Sequence, residues 1–207
     1  MKEVSRKSQI SSPIPIDKKV LLEQDTILIS ITDKKGVIEY CNEDFVASSG
    51  YEERELVGAR HNIIRHPEMP RIIFKMMWER LEQGKNMIAV VKNLAKSGKY
   101  YWVVTDFTVK KDEKEQVLSY KAIRRLAPQK AIDEVISLYK KLKDIEDVKG
   151  MEASRKFLNG FLDTKELEYD SYIEGLVSSG MNMSKSKKDK KVGAFFNWFF
   201  FAEERPF

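Results

Sequence analysis

The sequence predicts an α+β domain: a five-stranded antiparallel sheet with short helices over one face, followed by further helices. Three observations predict it. Five short stretches are rich in β-branched and aromatic residues, turn signals join them into consecutive runs, and the interval between the second and third is helical. The order is therefore β-β, helices, β-β-β.

The first strand is read at 26–32 (TILISIT), where apolar and polar positions alternate. Asp33-Lys34-Lys35-Gly36 is a tight turn into a partner strand at 37–40, which makes a hairpin. Asn42 can cap a short helix through Phe45 and Val46 that Gly50 closes, and 52–56 can form another turn before Gly58. Pro70 suits the first turn of a longer helix in which Ile73, Phe74, Met77, Trp78 and Leu81 share a stripe and Gly84 is the stop. Three more strands follow at 87–93, 100–109 and 117–123. Helices lying over one face leave a slot between sheet and helix, a usual place for a cofactor.

After Pro128, residues 129–148 carry Ala131, Val135, Leu138, Leu142 and Ile145 at heptad spacing. This seam could pair with a second copy or a partner helix, or lie back on its own sheet. Helical patterns continue at 151–163 and 165–177. The expected organisation is an extended arm at 1–20 that docks loosely or not at all, the α+β domain at 21–127, a linker helix at 128–148, a helical region at 149–180 and a basic, aromatic tail at 181–207.

Charge and composition narrow the classes. The chain has 207 residues, 42% hydrophobic and 33% charged, enough to bury a core. The net charge of +5 lies in the ends, because SKSKKDKK (184–191) contributes +4 and residues 8–183 sum to zero. A neutral body argues against a nucleic-acid-binding face. The lone Cys41 allows no internal disulfide and fits a reducing cytoplasm. No stretch reads as a secretion signal or a spanning helix. No hydrolase elbow, phosphate loop, dinucleotide fingerprint or kinase signature is visible, so the reading is not an enzyme.

The string His61-Asn-Ile-Ile-Arg-His-Pro-Glu-Met-Pro70, with Trp78, Val91-Lys-Asn93 and Gly98-Lys-Tyr-Tyr-Trp102, is the specific one. With Asn42-Glu-Asp-Phe45 and Ser49-Gly-Tyr51, it resembles the PAS sensor domain of bacterial aerotaxis and energy-taxis receptors, from about Asp25 to Ala127. The resemblance implies a PAS fold, non-covalently bound FAD and a signalling role. It matches Arg65, His66, Trp78 and Asn93 to FAD-linked positions, with Asn42 and Phe74 as weaker carry-overs. Glu68 stands where the family usually has Asp.

The chemistry of these residues suits a flavin without that comparison. Arg65 supplies a fixed positive fork, His66 a group that can change charge near neutral pH, Asn93 a donor and an acceptor, and Trp78 and Phe74 flat faces for stacking. Each also has a plain structural use: Trp78 as core, Asn42 as a cap, His66 as a turn residue, Arg65 as a surface ion pair. Cys41 falls outside the helical position of an adduct-forming cysteine, which argues against a photoreceptor. His61 and His66 leave heme ligation open, and a cofactor-free interaction adaptor is the other alternative.

In the one-chain receptors the PAS domain continues into a membrane anchor and a signalling rod, which this sequence does not show. It resembles the split, Campylobacter-type arrangement, in which a separate PAS protein acts on a membrane-bound methyl-accepting chemotaxis transducer. Residues 184–207, five Lys followed by a Phe/Trp cluster, could hold such a protein at the inner face of the cytoplasmic membrane, bind the transducer, or fold back onto 151–177. A homodimer is the further option that the heptad seam raises.

Overall fold

The structure is a computed structural model, and it describes residues 12–180. The tail expected at 181–207 and most of the N-terminal arm lie outside the described residues. Five antiparallel strands form one sheet in the order β2-β1-β5-β4-β3. They are β1 (Leu28–Thr32), β2 (Ile38–Cys41), β3 (Met87–Leu94), β4 (Tyr100–Lys111) and β5 (Val117–Leu126). Between β2 and β3 run α1 (Glu43–Ser49), α2 (Glu53–Leu56), a 3₁₀ turn at His61–Ile64 and α3 (Arg71–Glu82). After β5 come α4 (Gln129–Lys149), α5 (Met151–Asp163) and α6 (Tyr169–Gly180). The α+β class read from the sequence is the one observed.

Local chemistry accounts for most boundaries. Asn42 Oδ1 accepts from the Phe45 amide at 3.1 Å and starts α1, and Gly50 ends it at φ +70°. The Asn42 side chain also accepts from Ile29 N at Oδ1, at 2.9 Å, and donates from Nδ2 to Ile27 O at 2.7 Å, so it ties α1 to β1. Pro70 precedes α3 as its N-cap in extended conformation rather than sitting inside the first turn. A proline side chain cannot accept from the amides of the first turn, so their acceptor has to come from elsewhere.

The inward register of β1 places Leu28, Ser30 and Thr32 in the interior, while Ile29 and Ile31 face outward and are half-buried. β3 departs from alternation, with all eight residues buried. Its run of apolar residues is what a strand covered on both faces requires. The cover on the outer face comes from α6 and α4: the Tyr139 ring of α4 stacks on Trp102, centroids 6.4 Å apart, and its hydroxyl, 2.9 Å from that of Tyr169 on α6, donates to Val90 O at 2.8 Å. The β3 edge, which would otherwise expose backbone groups, is closed by that bond, by a backbone bridge from Arg65 to Asn93, and by Met69 Sδ near Lys92 N.

Two expectations resolve here. The heptad seam is internal: Ala131, Val135, Leu138 and Leu142 are buried within this chain, with α4 packed on α5 and α6. Of the N-terminal arm only residues 12–20 are described, and residues 16–20 are pinned rather than loose. Val20 N donates to Tyr100 O and Tyr100 N to Lys18 O, at 2.8 and 2.9 Å. Among the described residues no helix is long and apolar enough to cross a membrane.

Candidate functional site

A cavity of about 310 Å³ lies between the inner face of the sheet and α3. The amphipathic stripe of α3 supplies one wall through Phe74, Met77, Trp78 and Leu81, and the sheet supplies Val91 and Phe107. The Trp78 ring meets Tyr120 edge-on, with centroids 5.6 Å apart. Gly36, at φ +74°, brings the β1–β2 turn so close that a Cβ there would stand 2.9 Å from Trp78 Cη2. These contacts fix an apolar slot with flat walls.

The polar wall is made by residues distant in sequence. On β5, Tyr120, Ala122 and Arg124 share the inward register, so the alternation that buries a strand also buries a guanidinium. Arg124 is 2% exposed. It donates to Ser30 Oγ at 3.0 Å, contacts His61 Nε2 at 2.8 Å and lies over the Phe45 ring at 5.3 Å. Ser30 Oγ is also 3.0 Å from His61 Nε2. Among the described residues no carboxylate is recorded as pairing with Arg124. Burial lowers its pKa to about 10, which only the Tyr101 hydroxyl partly counters. Burial and the Arg124 charge hold the His61 imidazole neutral, with a pKa of about 3. Beside them Asn93 is 3% exposed, and its Nδ2 has no hydrogen-bond partner. A buried donor without an acceptor is unusual in a finished interior, and of the four unpartnered buried atoms among the described residues, on Tyr51, Asn93, Tyr101 and Thr105, only the Asn93 amide lines the cavity.

Four of the residues singled out in the sequence line this cavity: Arg65, Phe74, Trp78 and Asn93. Arg65 lies over the Phe74 ring at 4.7 Å and donates to Met69 O at 3.2 Å. The other three stand outside it. His66 is buried against Tyr100, and burial followed by the Lys92 charge lowers its pKa to about 4, against the pull of Glu68. Glu68 projects to solvent and pairs with Lys92 Nζ at 2.6 Å. Asn42 spends its amide on the α1 cap and β1. The sequence reading missed Arg124, Ser30 and Tyr120 and saw His61 only as a heme option. The signal for Arg124 was present, since a charged residue stands in the inward register of an apolar strand.

Residues 38–124, which hold most of the sheet and the helices over it, match the family model of the PAS fold. The chain is similar to the aerotaxis receptor of Escherichia coli (strain K12), to which 132 residues are 38% identical. That stretch is 64% of this chain and 26% of the receptor. The nitrogen fixation regulatory protein of Klebsiella pneumoniae is 29% identical over 105 residues, 51% of this chain and 21% of that protein. The chain thus spans about a quarter of the length of these relatives. Among solved structures, a light-oxygen-voltage domain studied with a flavin analogue superposes with a TM-score of 0.48 at 20% identity, covering 52% of this chain and 83% of that one.

Proposed function

We propose that this protein is an FAD-binding PAS sensor of redox state or oxygen in energy taxis, passing the state of the flavin to a membrane-bound chemotaxis transducer. The observation that carries the reading is the pairing of an apolar slot with a buried guanidinium that has no carboxylate beside it among the described residues, Arg124, and a buried amide donor that has no acceptor there, Asn93 Nδ2. An isoalloxazine ring presents acceptors along its pyrimidine edge and flat apolar faces to the rest of a slot. The cavity volume suits a ring system of that size rather than a whole dinucleotide. Exposed Lys35 and Arg60 at the rim offer the positive charge that a diphosphate requires.

A bound flavin supplies reversible electron uptake accompanied by a proton. The residues of this chain do the rest. Arg124 holds a fixed positive charge inside low-dielectric surroundings, favouring any increase in electron density beside it. Asn93 can donate or accept as the hydrogen-bonding of its neighbour changes. His61, kept in place by Ser30 and Arg124, stays neutral because burial and the Arg124 charge oppose its protonation, so it adds no second positive charge. Trp78 and Phe74 close the slot against water. The engagement of His61 Nε2 with Ser30 and Arg124 favours flavin over heme, because an axial imidazole needs a free nitrogen.

The absorption spectrum of the purified protein tests the reading, recorded oxidised, after dithionite, and after denaturation to release any chromophore. A flavin spectrum that bleaches on reduction and releases FAD is expected. A Soret band, or a colourless protein that takes up no added FAD, rejects it.

A further inference from the structure

Helix α3 is a wall shared by two parts of the molecule. One side supplies Phe74 and Trp78 to the cavity. The other is tied to all three C-terminal helices. Lys75 and Glu79 pair with Glu152 and Arg155 of α5, both at 2.7 Å, and Arg80 pairs with Asp170 of α6 at 2.8 Å. These partly exposed pairs are each weak. The tie to α4 is of another kind. The Glu146 side chain is 0% exposed. Its Oε2 accepts from Arg71 N at 2.8 Å and its Oε1 from Ile72 N at 2.7 Å, across 75 and 74 residues of sequence.

Glu146 therefore does for α3 what Pro70 cannot. It accepts the orphan amides of the first turn and places a negative charge at the positive end of the helix. A buried carboxylate with two such donors cannot withdraw without being left uncompensated, and both amides would lose their acceptor at the same moment. Glu146 also acts on the cavity side, since its charge offsets the lowering of the Arg65 pKa by burial.

We infer that Glu146 is a positioning residue that clamps α3 to α4, so that the Phe74–Trp78 wall of the cavity and the packing of the C-terminal helices form one coupled equilibrium. A helix shifts as a unit. Anything that displaces Trp78 must carry Glu146 with it or break the clamp, and either event disturbs α4. The clamp rests on the proposed function only for the identity of the cavity's occupant.

Hydrogen exchange of the α4 amides in the full chain tests the clamp, with two perturbations of the cavity wall: added FAD, and Trp78→Ala without any cofactor. Either should change exchange in the second half of α4 by at least about fivefold, the lower end of ordinary coupling between sites. Glu146→Gln should cut both responses to under about twofold. Arg71→Pro gives the same test without replacing Glu146, although it also removes the Arg71 Nε that lies 3.5 Å from Glu146 Oε2. It removes one of the two amide donors at the first helical position, where proline is accepted, and Pro70 already has the extended ψ of 136° required of a residue before proline. Arg71→Ala controls for the lost side chain. Wild-type responses retained in both the Glu146→Gln and Arg71→Pro proteins overturn the clamp, as does an α4 that responds to neither perturbation in the wild type. Failure of FAD to bind, with the Trp78→Ala response present and lost in Glu146→Gln, rejects the cofactor reading and leaves the clamp standing.

Discussion

Replacing Arg124 with methionine separates a ligand-binding arginine from a structural one. A buried arginine that anchors the fold is paired with a carboxylate, and truncating one side of such a pair costs about 3–5 kcal/mol because the other charge is stranded. Among the described residues Arg124 has no such partner. Its pKa is lowered from 12.5 to about 10, so burial opposes the charged form by on the order of 3 kcal/mol. Against this stand hydrogen bonds to Ser30 and His61, each worth about 1 kcal/mol or somewhat more for a charged donor. When Arg124 is removed, Ser30 Oγ and His61 Nε2 remain 3.0 Å apart and satisfy each other. The two sides nearly cancel. The cofactor-free Arg124→Met protein should unfold in urea within about 1 kcal/mol of the parent, whereas FAD affinity, followed by quenching of flavin fluorescence, should fall at least about tenfold, which is 1.4 kcal/mol. The midpoint potential of any flavin still bound should move to more negative values. A loss of 3 kcal/mol or more in the cofactor-free protein, with flavin affinity unchanged, would show that Arg124 holds the fold rather than the ligand.

Two further outcomes follow from the same geometry. Gly36→Ala meets both a φ of +74° and a Trp78 carbon 2.9 Å from the new Cβ, and should cost about 1–3 kcal/mol and alter tryptophan emission. Gly36→Asn tolerates the backbone but keeps the collision, so an Asn variant as stable as the parent removes Trp78 from the explanation. His61 and His66 are held neutral in the folded chain with pKa values of about 3 and 4, while the unfolded chain takes up protons near 6.5. The unfolded state therefore binds more protons between about pH 4 and 6.5, and stability contributed by these rings falls as pH falls through that window. Each ring contributes a slope of up to about 1.4 kcal/mol per pH unit, so His61→Gln and His66→Gln should each flatten the acid limb of urea stability against pH. An unchanged limb means that neither ring is buried in solution.

Of the candidate site, the half carried by local pattern was legible. Phe74 and Trp78 lie on the apolar stripe of α3, so periodicity turned them inward, whereas Asn93 was singled out by its amide chemistry and the motif around it, since all eight residues of β3 are buried. The same rule applied to Tyr120, Ala122 and Arg124, but a charged residue in that register reads as a strand end until its neighbours are known. His66 and Glu68 show the opposite limit. Their order beside Pro67 fixes a turn, and only the path of the chain decides that one side chain packs against Tyr100 while the other reaches Lys92.

By itself the sequence determined the elements and their order: five strands, the Asn42-to-Gly50 helix, the long helix after Pro70 and the stripe on α4. These depend on residues a few positions apart, where backbone preference and spacing act directly. Only the tertiary structure decided what each face meets. The α4 stripe fits an internal or an external partner equally well, and it buries Ala131, Val135 and Leu142 within its own chain. The meeting of Arg124 with His61, and of Glu146 with the first turn of α3, spans 63 to 75 residues of sequence. No local period encodes such pairings, because a buried charge is defined by the three-dimensional surroundings that desolvate it and by the partners it finds there.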